Sequence, residues 1–135
     1  MCTVFPANPC GRATILVVDD DEGVTESFAR MLTVEGYRVR TAVDGETGLR
    51  EAEAIRPDAI IVDLRMPLID GLTFLRRLRT DEAQSKVPVA VITADYLVDE
   101  DLTIELRALG ADLHFKPFWQ EDLVDLTRSL LGVAH

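Results

Sequence analysis

The sequence predicts an α/β domain built on a parallel sheet. Three observations carry that prediction: short apolar runs of strand length, amphipathic segments between them, and strict alternation of the two. Strand-length runs occupy residues 14–18, 37–41, 58–62, 87–92 and 111–115. Those centred on Leu16, Ile60 and Val89 are almost wholly apolar, as interior parallel strands covered on both faces must be. The second run, Tyr37-Arg38-Val39-Arg40-Thr41, alternates instead, which predicts an edge strand with one side in water.

Each intervening segment repeats its apolar residues at helical spacing. Val24, Phe28, Met31 and Leu32 form the first face, and Gly36 is placed to stop that helix in a left-handed cap. Leu49, Ala52 and Ile55 form a second, ended by Pro57. Leu72, Leu75 and Leu78 form a third, and Leu102, Leu106 and Leu109 a fourth that stops at Gly110. The fifth runs through Leu123, Leu126 or Thr127, Leu130 and Leu131. Five strand–helix units joined by right-handed crossovers give a doubly wound sheet with helices on both faces. An exposed second strand fits the flavodoxin-like order 2-1-3-4-5, whose ligand crevice lies beside the first and third strands.

Domain organisation follows from the same pattern. Residues 1–13, with Pro6, Asn8, Pro9 and Gly11, lack periodicity and are expected to form a flexible extension; 14–132 form the domain and 133–135 a short tail. The 135 residues are enough for one real core. A net charge of −10 argues against direct nucleic-acid binding, which selects Lys/Arg-rich surfaces. No apolar stretch approaches the roughly 18 residues of a membrane span, and the N-terminus lacks the continuous apolar stretch of a secretory leader. A cytoplasmic protein is expected. The two cysteines, Cys2 and Cys10, sit in the extension, where they cannot staple the core.

Four segments place chemistry at the carboxyl ends of the predicted strands: Asp19-Asp20-Asp21 after the first, Asp63 at the third, Thr93 at the fourth, and Lys116 before Pro117 after the fifth. Two carboxylates about 4 Å apart repel by roughly 4 kcal/mol at an effective dielectric near 20, so three together require a cation or a proton. An all-oxygen donor set without His or Cys selects a hard ion, Mg²⁺, with Mn²⁺ as a substitute. Acidic residues also cap helices, and Asp21 and Glu22 are read as doing so. Asp63 has no helix to cap. It ends an apolar strand and precedes Met66-Pro67 and Asp70-Gly71, which hold it in a tight loop. Lys116 is positioned to pair with carboxylates or phosphoryl oxygens, and the Thr93 hydroxyl to donate to one.

ILVVDDDE, IIVDLRMPLIDGL, VITA and FKPF, in this order and spacing, resemble the receiver domain of two-component response regulators, over residues 14 to about 131. The resemblance implies that Asp63 accepts a phosphoryl group from a phosphohistidine on a histidine kinase or phosphotransfer protein. It implies Mg²⁺ bound by Asp20 and Asp63, by Asp19 largely through water, and by the backbone carbonyl of Arg65. Lys116 would contact the phosphoryl group, Thr93 would turn toward it, and Ala94 is the small residue that leaves it room. Receivers usually carry Tyr or Phe three residues before the lysine; here that position is Leu113, and because the segment from Gly110 to Lys116 is one residue shorter than the common pattern, His114 is the alternative counterpart. The Thr–aromatic coupling is therefore not carried over. Arg65 and Asp95 are expected to flank the phosphoryl group and to set its lifetime.

The expected protein is a single-domain response regulator, a monomer or weak dimer that catalyses only its own phosphorylation and dephosphorylation. It would signal through altered contacts with a downstream protein, the fourth helix, fifth strand and fifth helix being the usual receiver signalling surface. Two rivals differ in kind. A haloacid-dehalogenase-type phosphatase also uses an Asp nucleophile and Mg²⁺, but needs a second acid two residues on, where Arg65 stands. An unphosphorylated interaction module would keep the fold without a use for the acids, Thr93 and Lys116.

Overall fold

Each apolar run becomes a strand of five residues: β1 Thr14–Val18, β2 Arg38–Ala42, β3 Ala59–Asp63, β4 Val89–Thr93 and β5 Ala111–Phe115. Between and after them lie α1 Glu22–Val34, α2 Gly45–Ile55, α3 Gly71–Thr80, α4 Glu100–Ala108 and α5 Gln120–Leu131, with one 3₁₀ turn, Glu82–Gln84. The computed structural model describes residues 12–132. Of the extension anticipated at 1–13, residues 1–11 lie outside the described residues, as does the tail at 133–135. Ala13, one residue before the expected start of the domain, is buried, and its carbonyl accepts the Arg38 N–H.

All strand pairs are parallel, in the order β2-β1-β3-β4-β5 that the sequence predicts. The period-2 alternation of side chains divides the core in two. Leu16, Val18, Ile60, Val62, Val89 and Val91 face one way, against Ala52, Phe74, Leu75, Leu78 and Leu106. Ile15, Val17, Ile61, Ala90 and Ile92 face the other way, against Phe28, Leu32, Leu123 and Leu126. Strands β3 and β4 are buried along their whole length, whereas β2 is mostly exposed, as an edge strand should be.

Part of the acidity serves helix starts. Asp21, Asp44, Asp70 and Asp99 each accept backbone N–H groups in the first turn of α1, α2, α3 and α4. Gly36 and Gly110 follow α1 and α4 at φ +96° and +81°, the left-handed conformation expected of these stops. Three strands differ from their sequence-predicted bounds: β2 and β3 are displaced by one residue toward the C-terminus, and β4 starts two later and ends one later. The displacement brings Asp63 and Thr93 into their strands as terminal residues. Parallel pairing explains it: Asp63 pairs in register with Ile92, and Thr93 with Phe115, so the ladder extends past the apolar run.

Gly71 fixes how the loop after β3 returns. A Cβ there would lie 2.7 Å from the Asp63 carbonyl oxygen and 2.9 Å from Leu64 Cα. Only glycine lets α3 start this close to the strand end, and the Gly71 N–H donates to the Leu64 carbonyl at 2.9 Å. Leu64 N–H in turn donates to the Ile92 carbonyl at 2.7 Å. The backbone that carries Asp63 is thus held from both sides.

Candidate functional site

The carboxyl ends of β1, β3, β4 and β5 bring together the residues that the sequence singles out. Asp19 follows β1 and is buried; its N–H donates to the Ala42 carbonyl, and its Oδ1 accepts the Asp21 N–H at 2.9 Å. Asp63 ends β3 and is also buried, while Asp20 faces solvent. One carboxylate oxygen from each of the three lies within 4.8 Å of the others. Lys116 Nζ donates to Asp19 Oδ2 at 2.8 Å and lies 3.3 Å from Asp63 Oδ1. The Lys116–Pro117 peptide is cis, and the Lys116 N–H donates to the Thr93 carbonyl at 2.8 Å, which ties the start of the last loop to β4.

Beside Asp63 opens a cleft of about 320 Å³ lined by Asp63, Arg65, Thr93, Ala94, Asp95 and Lys116. Thr93 is fully buried, and its Oγ1 accepts the Asp95 N–H at 3.0 Å. Arg65 Nη2 and Asp95 Oδ2 meet at 3.1 Å. The two residues expected to flank a phosphoryl group therefore pair with each other at the rim of the cleft.

Leu113 and His114 lie apart from this cluster. Leu113 packs against the core on the α3–α4 side of the sheet. His114 lies in register with Ile92 on the opposite side, lining a groove with Phe118, Asp122 and Leu126. Burial holds its imidazole below the ordinary histidine range, with Asp112 opposing. The residue in register with Thr93 is Phe115, and Tyr96 stacks on it with ring centroids 5.0 Å apart. Linear spacing from Lys116 pointed to neither aromatic residue. The alternation of β5 was the available signal, since Ala111, Leu113 and Phe115 share one side.

The electrostatics agree with the crowding. Burial, reinforced by Asp19, pushes the Asp63 carboxyl up from 3.8 to about 6, and Lys116 offsets only part of the rise. Burial alone would lower the Lys116 ammonium, but hydrogen bonding and attraction from Asp19, followed by Asp63, leave it above its ordinary value. The single lysine thus leaves the acids undercompensated. Their donor set fits a hard divalent cation: all oxygen, with a separation comparable to the span across an ion that binds at about 2.1 Å. Asp19, Asp20 and Asp63 are the residues that would hold it.

The sign of the Asp63 effect makes a prediction. Between the ordinary carboxylate range and about 6 the folded protein binds more protons than the unfolded chain, so stability falls as pH rises through that window. The cost is complete above it, at about 3 kcal/mol as an upper bound. In metal-free buffer, Asp63→Asn is expected to stabilise the fold by about 1–3 kcal/mol at pH 7.5 and to have little effect near pH 4. Chemical denaturation at the two pH values measures the difference, and equal stability of the two proteins at pH 7.5 would contradict it.

Comparison with known proteins agrees with this geometry. The family described as "Response regulator receiver domain" matches residues 15–128. The transcriptional regulatory protein PrrA of Mycobacterium tuberculosis is 43% identical over 117 residues, covering 87% of this chain and 49% of the relative. The DNA-binding dual master transcriptional regulator RpaA of Synechocystis is 37% identical over 118 residues, covering 87% and 48%. The chain thus spans about half the length of these curated relatives. Among solved structures, chemotaxis protein CheY4 of Vibrio cholerae superposes with a TM-score of 0.83 at 30% identity, covering 90% of this chain and 100% of the other. The N-terminal domain of a response regulator receiver protein from Methanoculleus marisnigri gives 0.73 at 32%, covering 92% and 100%. With the family description spanning most of the fold and the acidic rim in place, this chain belongs to the response regulator receiver domain family of two-component signalling.

Proposed function

We propose that Asp63 takes a phosphoryl group from a phosphohistidine of a histidine kinase or phosphotransfer protein, in a Mg²⁺-dependent reaction. The observation that carries the reading is the buried Asp63 carboxylate at the mouth of a cleft, with Lys116 Nζ 3.3 Å away and two further carboxylates beside it. An Asp63 oxygen attacks phosphorus, the phosphorus–nitrogen bond breaks, and the imidazole leaves with the bonding pair and takes up a proton. The product is an acyl phosphate on Asp63. A divalent ion bound by Asp19, Asp20 and Asp63 would supply charge neutralisation at the phosphoryl oxygens.

The protein's own groups supply the rest. Lys116 already faces the acceptor carboxylate and offers a charge-assisted donor to a transferred oxygen. Among the described residues Thr93 Oγ1 is engaged only as an acceptor, in its bond to Asp95, so its hydroxyl proton is available to the phosphoryl group. Ala94 adds little bulk to the cleft it lines. The backbone carbonyl of Arg65, in the loop after β3, is read as a further ligand of the ion. These parts do what phosphoryl transfer requires, positioning and charge stabilisation.

The state so created is a signal carried by protein contacts. We read this chain as a response regulator with no catalysis beyond its own phosphorylation and dephosphorylation, a monomer or weak dimer working in the cytoplasm. Its acidic balance does not favour nucleic acid as a direct partner. Among the described residues no helix is long and apolar enough to cross a membrane.

Incubation with acetyl phosphate and Mg²⁺, followed by intact-protein mass spectrometry, tests the chemistry. Wild type is expected to gain one phosphoryl mass, and Asp63→Asn or wild type in EDTA none; equal labelling of Asp63→Asn would overturn the reading. Arg65 and Asp95 pair at the rim of the cleft, and we read that pair as limiting the approach of water to Asp63. Arg65→Ala and Asp95→Ala are each expected to shorten the phosphoaspartate lifetime severalfold in a dephosphorylation time course. Lifetimes equal to wild type would refute that role.

A further inference from the structure

The loop after β4 is fastened on two sides. Toward β3, the Asp95 carboxylate pairs with Arg65 and also accepts the Leu97 N–H at 2.9 Å. Toward β5, the Tyr96 ring lies on Phe115 at a centroid distance of 5.0 Å and an interplanar angle of 13°, and its hydroxyl donates to the Lys116 carbonyl at 2.6 Å. Tyr96 is nonetheless 65% exposed and Phe115 41%, so this clasp lies on the surface. Its two ends belong to residues tied to the site: Phe115 is the register partner of Thr93, and Lys116 carries the ammonium that faces Asp63.

We infer that Tyr96 is a positioning residue, which holds the Thr93 loop in its resting arrangement and lets go of Phe115 and the Lys116 carbonyl when a phosphoryl group occupies the cleft. The inference rests on Asp63 being the phosphoacceptor. Thr93 Oγ1 accepts the Asp95 N–H, so a Thr93 hydroxyl that turns toward a phosphoryl oxygen takes the acceptor of that N–H with it. Asp95 is one peptide from Tyr96, so the backbone cannot follow Thr93 while the ring and hydroxyl of Tyr96 stay in place. The coupling runs through a side chain on the loop, because the β5 residue three before Lys116 is Leu113, which packs into the core and has no polar end to respond. Occupancy of the cleft is thereby converted into a change on the outer side of β5, where Tyr96 and Phe115 are exposed.

The chain has two tyrosines, Tyr37 and Tyr96, so 3-fluorotyrosine incorporation gives two fluorine resonances that Tyr37→Phe assigns. Beryllofluoride with Mg²⁺ serves as the phosphoryl mimic, and its own bound fluorine signal reports occupancy. The Tyr96 resonance is expected to move on saturation while that of Tyr37 stays, and in Thr93→Ala the mimic is expected to bind without moving Tyr96. Releasing the clasp should also ease closure, so Tyr96→Ala is expected to bind beryllofluoride about 3- to 10-fold more tightly, and Tyr96→Phe to fall between it and wild type. Saturation of the wild type with a stationary Tyr96 resonance would overturn the inference alone. Failure of the wild type to bind the mimic would overturn the phosphoacceptor reading, and this inference with it.

Discussion

Lys116 Nζ stands 2.8 Å from Asp19 and 3.3 Å from Asp63, and the functional end of the domain is organised around that bridge. Both carboxylates are buried, where each would be costly without a partner. One ammonium does not satisfy two buried acids and a third at their side. Burial first, and the neighbouring Asp19 second, leave an Asp63 carboxyl that holds its proton up to about 6. The surplus negative charge is of the kind a divalent ion would neutralise, and on the proposed function Lys116 would then contact the phosphoryl oxygens.

The fold supplies this arrangement by topology rather than by local sequence. β1 and β3 are adjacent, so residues 19 and 63 meet although they are far apart along the chain. Open parallel sheets usually bind ligands where the strand order reverses, and the cleft opens just beside that point, lined from the ends of β3, β4 and β5. Rigidity comes from the layers beneath: wholly buried β3 and β4, and a glycine at the head of α3 that lets the helix close on the Asp63 backbone. Leu68, in the loop after β3, is fully exposed and holds φ +68°, a conformation costly for a residue with a side chain.

The strand order, and which residues gather at the candidate site, were legible because they follow from coarse patterns. Apolar runs against an alternating Tyr37–Thr41 segment identified interior and edge strands, and Asp63 stood out as a carboxylate with no helix to cap. Strand ends were read short at Asp63 and Thr93, because hydrophobicity marks where a strand is buried, whereas the hydrogen-bonded ladder marks where it stops. The partnership of Thr93 with Phe115 and Tyr96 was not legible. The alternation of β5 shows which side Phe115 shares, but not the register of β4 against β5, nor a loop side chain folding back across a neighbouring strand.

The central claim is that the gathered acids share one divalent cation and that Asp63 releases its proton to solvent when the cation binds. Calorimetric titration with Mg²⁺ at pH 6, in two buffers of different ionisation enthalpy, tests this directly. The account predicts a single site, with proton release that disappears in Asp63→Asn. Absence of Mg²⁺ binding, or binding with the same proton release in Asp63→Asn as in wild type, would contradict it.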